Sequence, residues 1–299
     1  MRIAKRCVCC GSADLARSPA VLMPFVAARA FGWESVEITP DWGLRDLPAG
    51  WAHSLCATLA CDACGLLFLD MRFDDAEMAA LYADYRGPAY RTLRERFEPG
   101  YGARNAILEA GSTYIPAIEA LLAGHLPAAP RVLDWGGDTG LNTPFRDGAA
   151  LHHVHEISDR PLVPGAARVS AAEAARNTYD LVVSAQVLEH VPDPRATVRA
   201  MAAAVGPETL LYVEVPHETL MREAADPEAR RLRKRHWHEH VNFFTEASLR
   251  AVLASAGLAV LRCLSHPVEA GGRVGHVFSV LARREPSQPA APGTARNTP

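Results

Sequence analysis

The chain has 299 residues, 49% of them hydrophobic and 22% charged, with 34 acidic side chains against 31 basic ones and a formal charge of -3. That is enough material for one sizeable domain and a smaller one, and the slightly acidic balance excludes a broad phosphate-gripping face, so no nucleic-acid partner is expected. Asp, Arg or Gly interrupts every apolar run short of a bilayer's width, and the basic start at residues 1–6 leads straight into cysteines, which predicts neither a membrane segment nor a secretory signal.

Seven cysteines are present: Cys7, Cys9, Cys10, Cys56, Cys61, Cys64 and Cys263. An odd number without an export signal predicts a cytoplasmic, reducing setting and metal ligation rather than disulfides. Cys7-x-x-Cys10-Gly11 and Cys61-x-x-Cys64-Gly65 are two matching knuckles, in which thiolates two residues apart turn onto one ion and glycine relieves the turn. Two pairs supply the four ligands of a closed, structural Zn²⁺ site. Residues 1–70 are therefore predicted to be a zinc ribbon held by Cys7, Cys10, Cys61 and Cys64, with the other cysteines as non-ligands. Buried free thiols are the competing reading; a redox pair would need a strand-to-helix junction that neither pair has.

From Asp74 the pattern turns helical, with Met78, Leu81, Tyr82 and Tyr85 on one face and Asp74 with Glu77 resembling a capping box. Pro116 predicts that residues 103–122 form two helices or one kinked helix. Residues 71–128 are thus expected to be a helical connector and substrate lid. Strands are predicted at 131–134, 151–157, 167–169, 179–184 and 209–215, with helices at 139–146, 194–204 and 245–256 and Gly257 as the last C-cap. Two further strands, 258–264 and 276–283, join through Gly271-Gly272 as a late hairpin. Alternating strands and helices predict an α/β, Rossmann-like seven-stranded sheet over residues 129–284. The Pro/Ala/Ser/Thr-rich tail, 285–299, is expected to be disordered.

Val132-Leu133-Asp134-Trp135-Gly136-Gly137-Asp138-Thr139-Gly140 is an apolar strand ending in an acid and a glycine-rich turn at the carboxyl end of the first strand. Such sheets bind ligands there, although a lone glycine turn also fits a structural turn or a dinucleotide site. The second strand ends at Glu156, an acid able to accept hydrogen bonds from two ribose hydroxyls, and the fourth runs Tyr179-Asp180-Leu181-Val182 into Leu188-Glu189-His190-Val191-Pro192-Asp193-Pro194. In this order of features the region 131–284 resembles the class I S-adenosylmethionine-dependent methyltransferases. The resemblance implies Asp134 and the turn Gly136, Gly137, Asp138 and Gly140 against the methionine part, Glu156 on the ribose and Gln186 near the sulfonium. Asp138 stands where the family's turn has glycine; aspartate tolerates the left-handed backbone, and its charge disfavours a pyrophosphate, so S-adenosylmethionine is expected rather than NAD. Glu173 is the weak candidate for the adenine-side acid.

His236-Trp237-His238-Glu239-His240-Val241-Asn242 follows the fifth strand. Together with the cysteine pairs it resembles the zinc-ribbon sugar C-methyltransferases, whose additional C-terminal domain this sequence lacks. Glu239 and His240 match that family's acid/base segment and His190 its fourth-strand histidine, while Trp237 replaces a tyrosine. His240 as base with Glu239 orienting it, and His190 as rival, are the expected catalytic groups; the competing readings are backbone-contacting histidines or a metal face of His236, His238 and His240. The basic run Arg230, Arg231, Arg233, Lys234 and Arg235 is read as a phosphate handle or a solvated helix face. The function expected is methyl transfer to a small-molecule acceptor, probed against two alternatives: a zinc-ribbon RNA methyltransferase and an inactive binding protein.

Overall fold

Short runs rich in Val and Leu, apolar at successive positions, suit strands buried on both faces. They form a computed structural model's central sheet, in a structure that describes residues 1–42, 49–270 and 273–285. The Gly271-Gly272 turn and the tail beyond 285 lie outside the described residues. The strands are β1 (Arg131–Trp135), β2 (Leu151–His155), β3 (Ala167–Arg168), β4 (Leu181–Ala185), β5 (Leu210–Pro216), β6 (Leu258–Ala270) and β7 (Arg273–Arg284). Their order is β3-β2-β1-β4-β5-β7-β6. The first five run parallel, and β7 lies antiparallel between β5 and β6. The α/β, seven-stranded expectation is met. The order reverses between β1 and β4, so a crevice opens beyond their carboxyl ends.

The helix expected over 139–146 does not form; the segment is a series of turns. Pro144 has no N–H for the carbonyl four residues back. Phe145 takes a left-handed φ of 62° and donates its N–H to Glu119, while Thr143 turns its hydroxyl onto the Asp134 carboxylate at 2.6 Å. The other helices appear within a residue or two: Pro194–Ala202, and Glu246–Ala254 with a Thr245 cap and Gly257 left-handed after it.

The connector holds four helices, Asp75–Tyr82, Pro88–Phe97, Tyr101–Glu109 and Ile115–Leu122. Asp74 and Glu77 form the expected capping box, and Pro116 sits in the first turn of the fourth helix, dividing the stretch in two. Tyr85 lies beyond the first helix rather than on its face.

A second sheet carries the cysteine pairs. Leu15–Leu22, Leu55–Cys61 and Leu67–Leu69 are antiparallel neighbours. Their edges are covered by two strands from far along the chain: His236–Trp237 beside the first and Asn242–Phe243 beside the last. Covering protects apolar strand edges that a 70-residue ribbon would leave unpaired. After β5 the chain therefore returns to the N-terminal sheet, which crosses the boundary expected at residue 70. Among the described residues no helix is long and apolar enough to cross a membrane.

Arg72 locks these parts together. Its guanidinium, 4% exposed, donates to the carbonyls of Leu69, Val191 and Pro192 and to Asn242 Oδ1 at 2.8–3.0 Å. Burial pulls its pKa down only to about 10, so it stays charged. Arg72→Ala strands several buried acceptors and is expected to cost roughly 3–5 kcal/mol; thermal unfolding of the variant, read as a fall in Tm, checks this.

Candidate active site

The four knuckle cysteines converge. Cys7 and Cys64 sulfurs lie 3.5 Å apart, as do Cys10 and Cys61, and all four fall within 4.8 Å of one another. Four sulfurs at zinc bond length would sit roughly 3.8 Å apart, so the set fits a tetrahedral ion. Gly11 and Gly65 have φ of 80° and 72°, and each donates its N–H to the first cysteine of its knuckle. Cys9 is buried nearby but points no sulfur into the set, while Cys56 and Cys263 lie elsewhere. The knuckles pack behind the fourth-strand loop, with Thr245 Oγ1 donating to the Cys64 carbonyl at 2.6 Å.

At the carboxyl end of β1 the glycine turn is tightly built. A Cβ at Gly136 would meet Val187 at 2.4 Å, and one at Gly137 would meet the Asp134 carboxylate at 2.5 Å. Asp138 sits at φ 53°, as its position in the turn demands. Its N–H donates to Glu156 at 2.9 Å, and the same carboxylate takes the N–H groups of Ile157 and Ser158. Glu156 is thus held at the end of β2 by the backbone on either side of the crevice. Arg160 at 2.5 Å and Arg86 at 3.7 Å flank the Asp138 carboxylate. Burial pushes Asp134 up to about 6, partly offset by Thr143. Among the described residues three buried polar atoms here have no hydrogen-bond partner: Asp138 Oδ1, Arg86 Nε and Ser158 Oγ. Such orphans are rare in native proteins unless a ligand or ordered water satisfies them. A ligand carrying an amino group, a carboxylate and a ribose diol fits these groups.

Gln186, at φ 58°, closes the other side of the turn, but its side-chain amide donates to Glu214 on β5 at 2.9 Å. Glu214 also accepts from Tyr114 and Tyr212 at 2.7 Å each. Glu173, the candidate for the adenine side, caps its own helix with Ser170.

The histidines come together as a second cluster. His190 follows β4 and His240 lies between the two edge strands, held there because the N–H groups of Val241 and Asn242 donate to the Glu189 carbonyl. Their rings are 4.7 Å apart, edge to face. His240 Nδ1 lies 2.7 Å from Glu218, not on Glu239. Glu239 turns the other way, accepting from Tyr90 and Arg94 at 2.7 Å each. The carboxylate that orients His240 is therefore Glu218, a residue sequence reasoning missed. Burial opposes protonation of His240 and is the largest single influence, but the Glu218 hydrogen bond and the charges of Glu189, Glu218 and Glu239 together outweigh it and raise the pKa. Burial and the neighbouring His240 push His190 down to about 3, which keeps it neutral. Tyr82 stands over His190, its hydroxyl 3.1 Å from Nδ1. His236 is exposed and His238 pairs with Glu98, so the three alternating histidines do not share one face.

The basic run divides. Arg231 donates to the Arg17 carbonyl, and Lys234 is buried over the Trp237 and Phe243 rings at 4.5 and 4.1 Å. These two serve the second sheet, Arg230 donates to the Ala224 carbonyl, and Arg233 and Arg235 are the exposed members.

Comparison with known proteins identifies the family. A family described as a methyltransferase domain matches residues 107–262, more than half the chain. Ubiquinone biosynthesis O-methyltransferase of Aeromonas salmonicida (strain A449) is 32% identical over 100 residues, 31% of this chain and 42% of that protein. The protein of the same name from Xanthomonas axonopodis pv. citri (strain 306) is 38% identical over 165 residues, 47% of this chain and 67% of that protein. The aligned part thus spans less than half of the first relative and about two thirds of the second. Among solved structures, the Burkholderia thailandensis 1,6-didemethyltoxoflavin-N1-methyltransferase is 19% identical, with 77% of this chain and 96% of that one covered at a TM-score of 0.48. The chain belongs to the methyltransferase-domain family.

Proposed function

We propose that the protein transfers the methyl group of S-adenosylmethionine to a small-molecule acceptor. The observation that carries this is the set of unpartnered polar atoms on Asp138, Arg86 and Ser158 beside the glycine turn and Glu156. In this reading Glu156 takes the ribose hydroxyls, Asp134 and Asp138 face the amino group, and Arg86 takes the cofactor's carboxylate. Asp138 in the turn gives a pyrophosphate no welcome, which supports a cofactor with a cationic centre. The sulfonium supplies an activated methyl, so the protein has only to align the acceptor and manage its proton. The acceptor end is the His190–His240 cluster under Tyr82, closed over by the connector. A nucleotide-linked sugar or a secondary-metabolite intermediate is the acceptor class proposed. Transfer to oxygen is favoured over carbon by the two relatives whose names specify O-methylation. Zn²⁺ at Cys7, Cys10, Cys61 and Cys64 is proposed as a structural ion that stiffens the wall behind residues 188–192.

Calorimetry should show S-adenosylmethionine binding, weakened by roughly 1.5–3 kcal/mol in Glu156→Ala, the scale of losing hydrogen bonds to a charged group. Binding of NAD with indifference to S-adenosylmethionine would contradict the reading. His240→Ala should spare cofactor affinity and cut turnover by roughly 10²–10⁴-fold. Metal analysis of purified protein should find zinc that Cys61→Ala loses, together with N-terminal stability.

A further inference from the structure

The acceptor end holds a buried acid with nothing to pair with. Glu189 is 1% exposed, and among the described residues neither of its carboxyl oxygens has a hydrogen-bond partner. His190 Nδ1 lies 3.1 Å from both the Glu239 carbonyl, which can only accept, and the Tyr82 hydroxyl, which can do either; with the ring proton on Nδ1 the lone pair is on Nε2. That Nε2 is 3.8 Å from Glu189 Oε1. His240 Nδ1 is likewise held, at 2.7 Å, by the Glu218 carboxylate, leaving its Nε2 free. One ligand atom from each of Glu189, His190 and His240 lies within 4.8 Å of the others. The two imidazoles and the Glu189 carboxyl group face one another with no hydrogen bond to either Glu189 oxygen among the described residues, and burying such a group unpaired is costly.

We propose that Glu189, His190 and His240 bind a divalent transition cation, distinct from the ion of the cysteine set. Three features support it. Histidines that ligate metals are characteristically anchored through their other ring nitrogen by a carboxylate or a backbone carbonyl, and here Glu218 and the Glu239 carbonyl do this. Two nitrogens and one carboxylate suit Fe²⁺, Co²⁺, Ni²⁺ or Zn²⁺ better than Mg²⁺ or Ca²⁺, which favour all-oxygen sets. Three protein ligands leave positions open, the mark of a working rather than a structural site.

The ion's role rests on the methyl-transfer reading above, whereas its binding does not. An acceptor hydroxyl entering an open position would lose its proton to water more readily, as metal-bound oxygens do. The resulting oxygen anion attacks the sulfonium methyl; the O–CH₃ bond forms as the S–CH₃ bond breaks, and that electron pair stays on sulfur. The substrate class this selects is a hydroxylated acceptor able to offer one or two oxygens to the ion, and in it His190 and His240 act as ligands rather than as free bases.

Cobalt(II) added to the full-length, zinc-loaded protein tests the site, because the visible spectrum separates nitrogen/oxygen from thiolate ligation. Expected are weak ligand-field bands saturating at about one added Co²⁺ per chain with no thiolate charge-transfer band. Glu189→Gln, which keeps the shape, should abolish these bands while binding S-adenosylmethionine as the parent does. Glu218→Gln should weaken Co²⁺ by about 10–100-fold, the usual cost of losing an anchoring partner. No cobalt spectrum, a thiolate spectrum alone, or unchanged binding in Glu189→Gln would overturn the proposal. Failure of S-adenosylmethionine to bind the parent protein, with the cobalt spectrum intact, would instead sink the methyl-transfer reading and leave the ion site standing.

Discussion

The buried guanidinium of Arg72 is the constraint on which the arrangement rests. It lies just after the N-terminal sheet, on a short strand paired with residues 2–3, and it satisfies carbonyls from the fourth-strand loop and an amide oxygen from the segment that follows β5. One planar cation thereby ties its own stretch to two others, each more than a hundred residues further along the sequence. An arginine serves here because its fork of donors meets several acceptors in one plane, whereas a lysine would meet fewer. Asn242 completes the lock by donating to the carbonyls of Leu188 and Val191. With the 188–192 loop and the 241–242 segment pinned to each other, His190 and His240 have no choice but to face.

The cysteine set and the histidine cluster are two sides of that same lock. The knuckles pack against Leu188, Val198 and Phe244, while the opposite side of the loop carries Glu189 and His190. An ion in the ribbon would thus act on chemistry only through rigidity. The connector closes the remaining side in a comparable way: Tyr82 reaches His190, and four residues on Arg86 reaches the glycine turn at Asp138. A single short segment thus reaches both the histidine cluster and the glycine turn.

Much of this was legible from residue pattern. Local signals survive folding intact: the Asp74/Glu77 capping box, the break at Pro116, the knuckle glycines and the apolar strands all appear where the chain spells them. What escaped was decided by partners distant in sequence. The segment 139–146 has a helix-like pattern, but Pro144 and the Thr143–Asp134 bond override it. Glu239 sits next to His240 in sequence, yet the chain bends at Glu239 between the two edge strands, and Arg94 and Tyr90 take it while Glu218 takes the histidine. Glu189 was visible within the Leu188–Pro194 motif, but nothing in a sequence reports that a carboxylate is buried without a partner. The two edge strands from residues 236–243 were equally hidden, since two-residue pairings leave no periodic trace.

The central claim is that one crevice, bounded by the glycine turn, Glu156 and the His190–His240 cluster, holds cofactor and acceptor end to end. A crystal structure with S-adenosylhomocysteine tests it most directly. The account predicts the ribose hydroxyls on Glu156, the amino-acid end among Asp134, Asp138 and Arg86, and the sulfur turned toward His190 and His240. Density for the ligand at any other place, or with its sulfur facing away from the histidines, would contradict it.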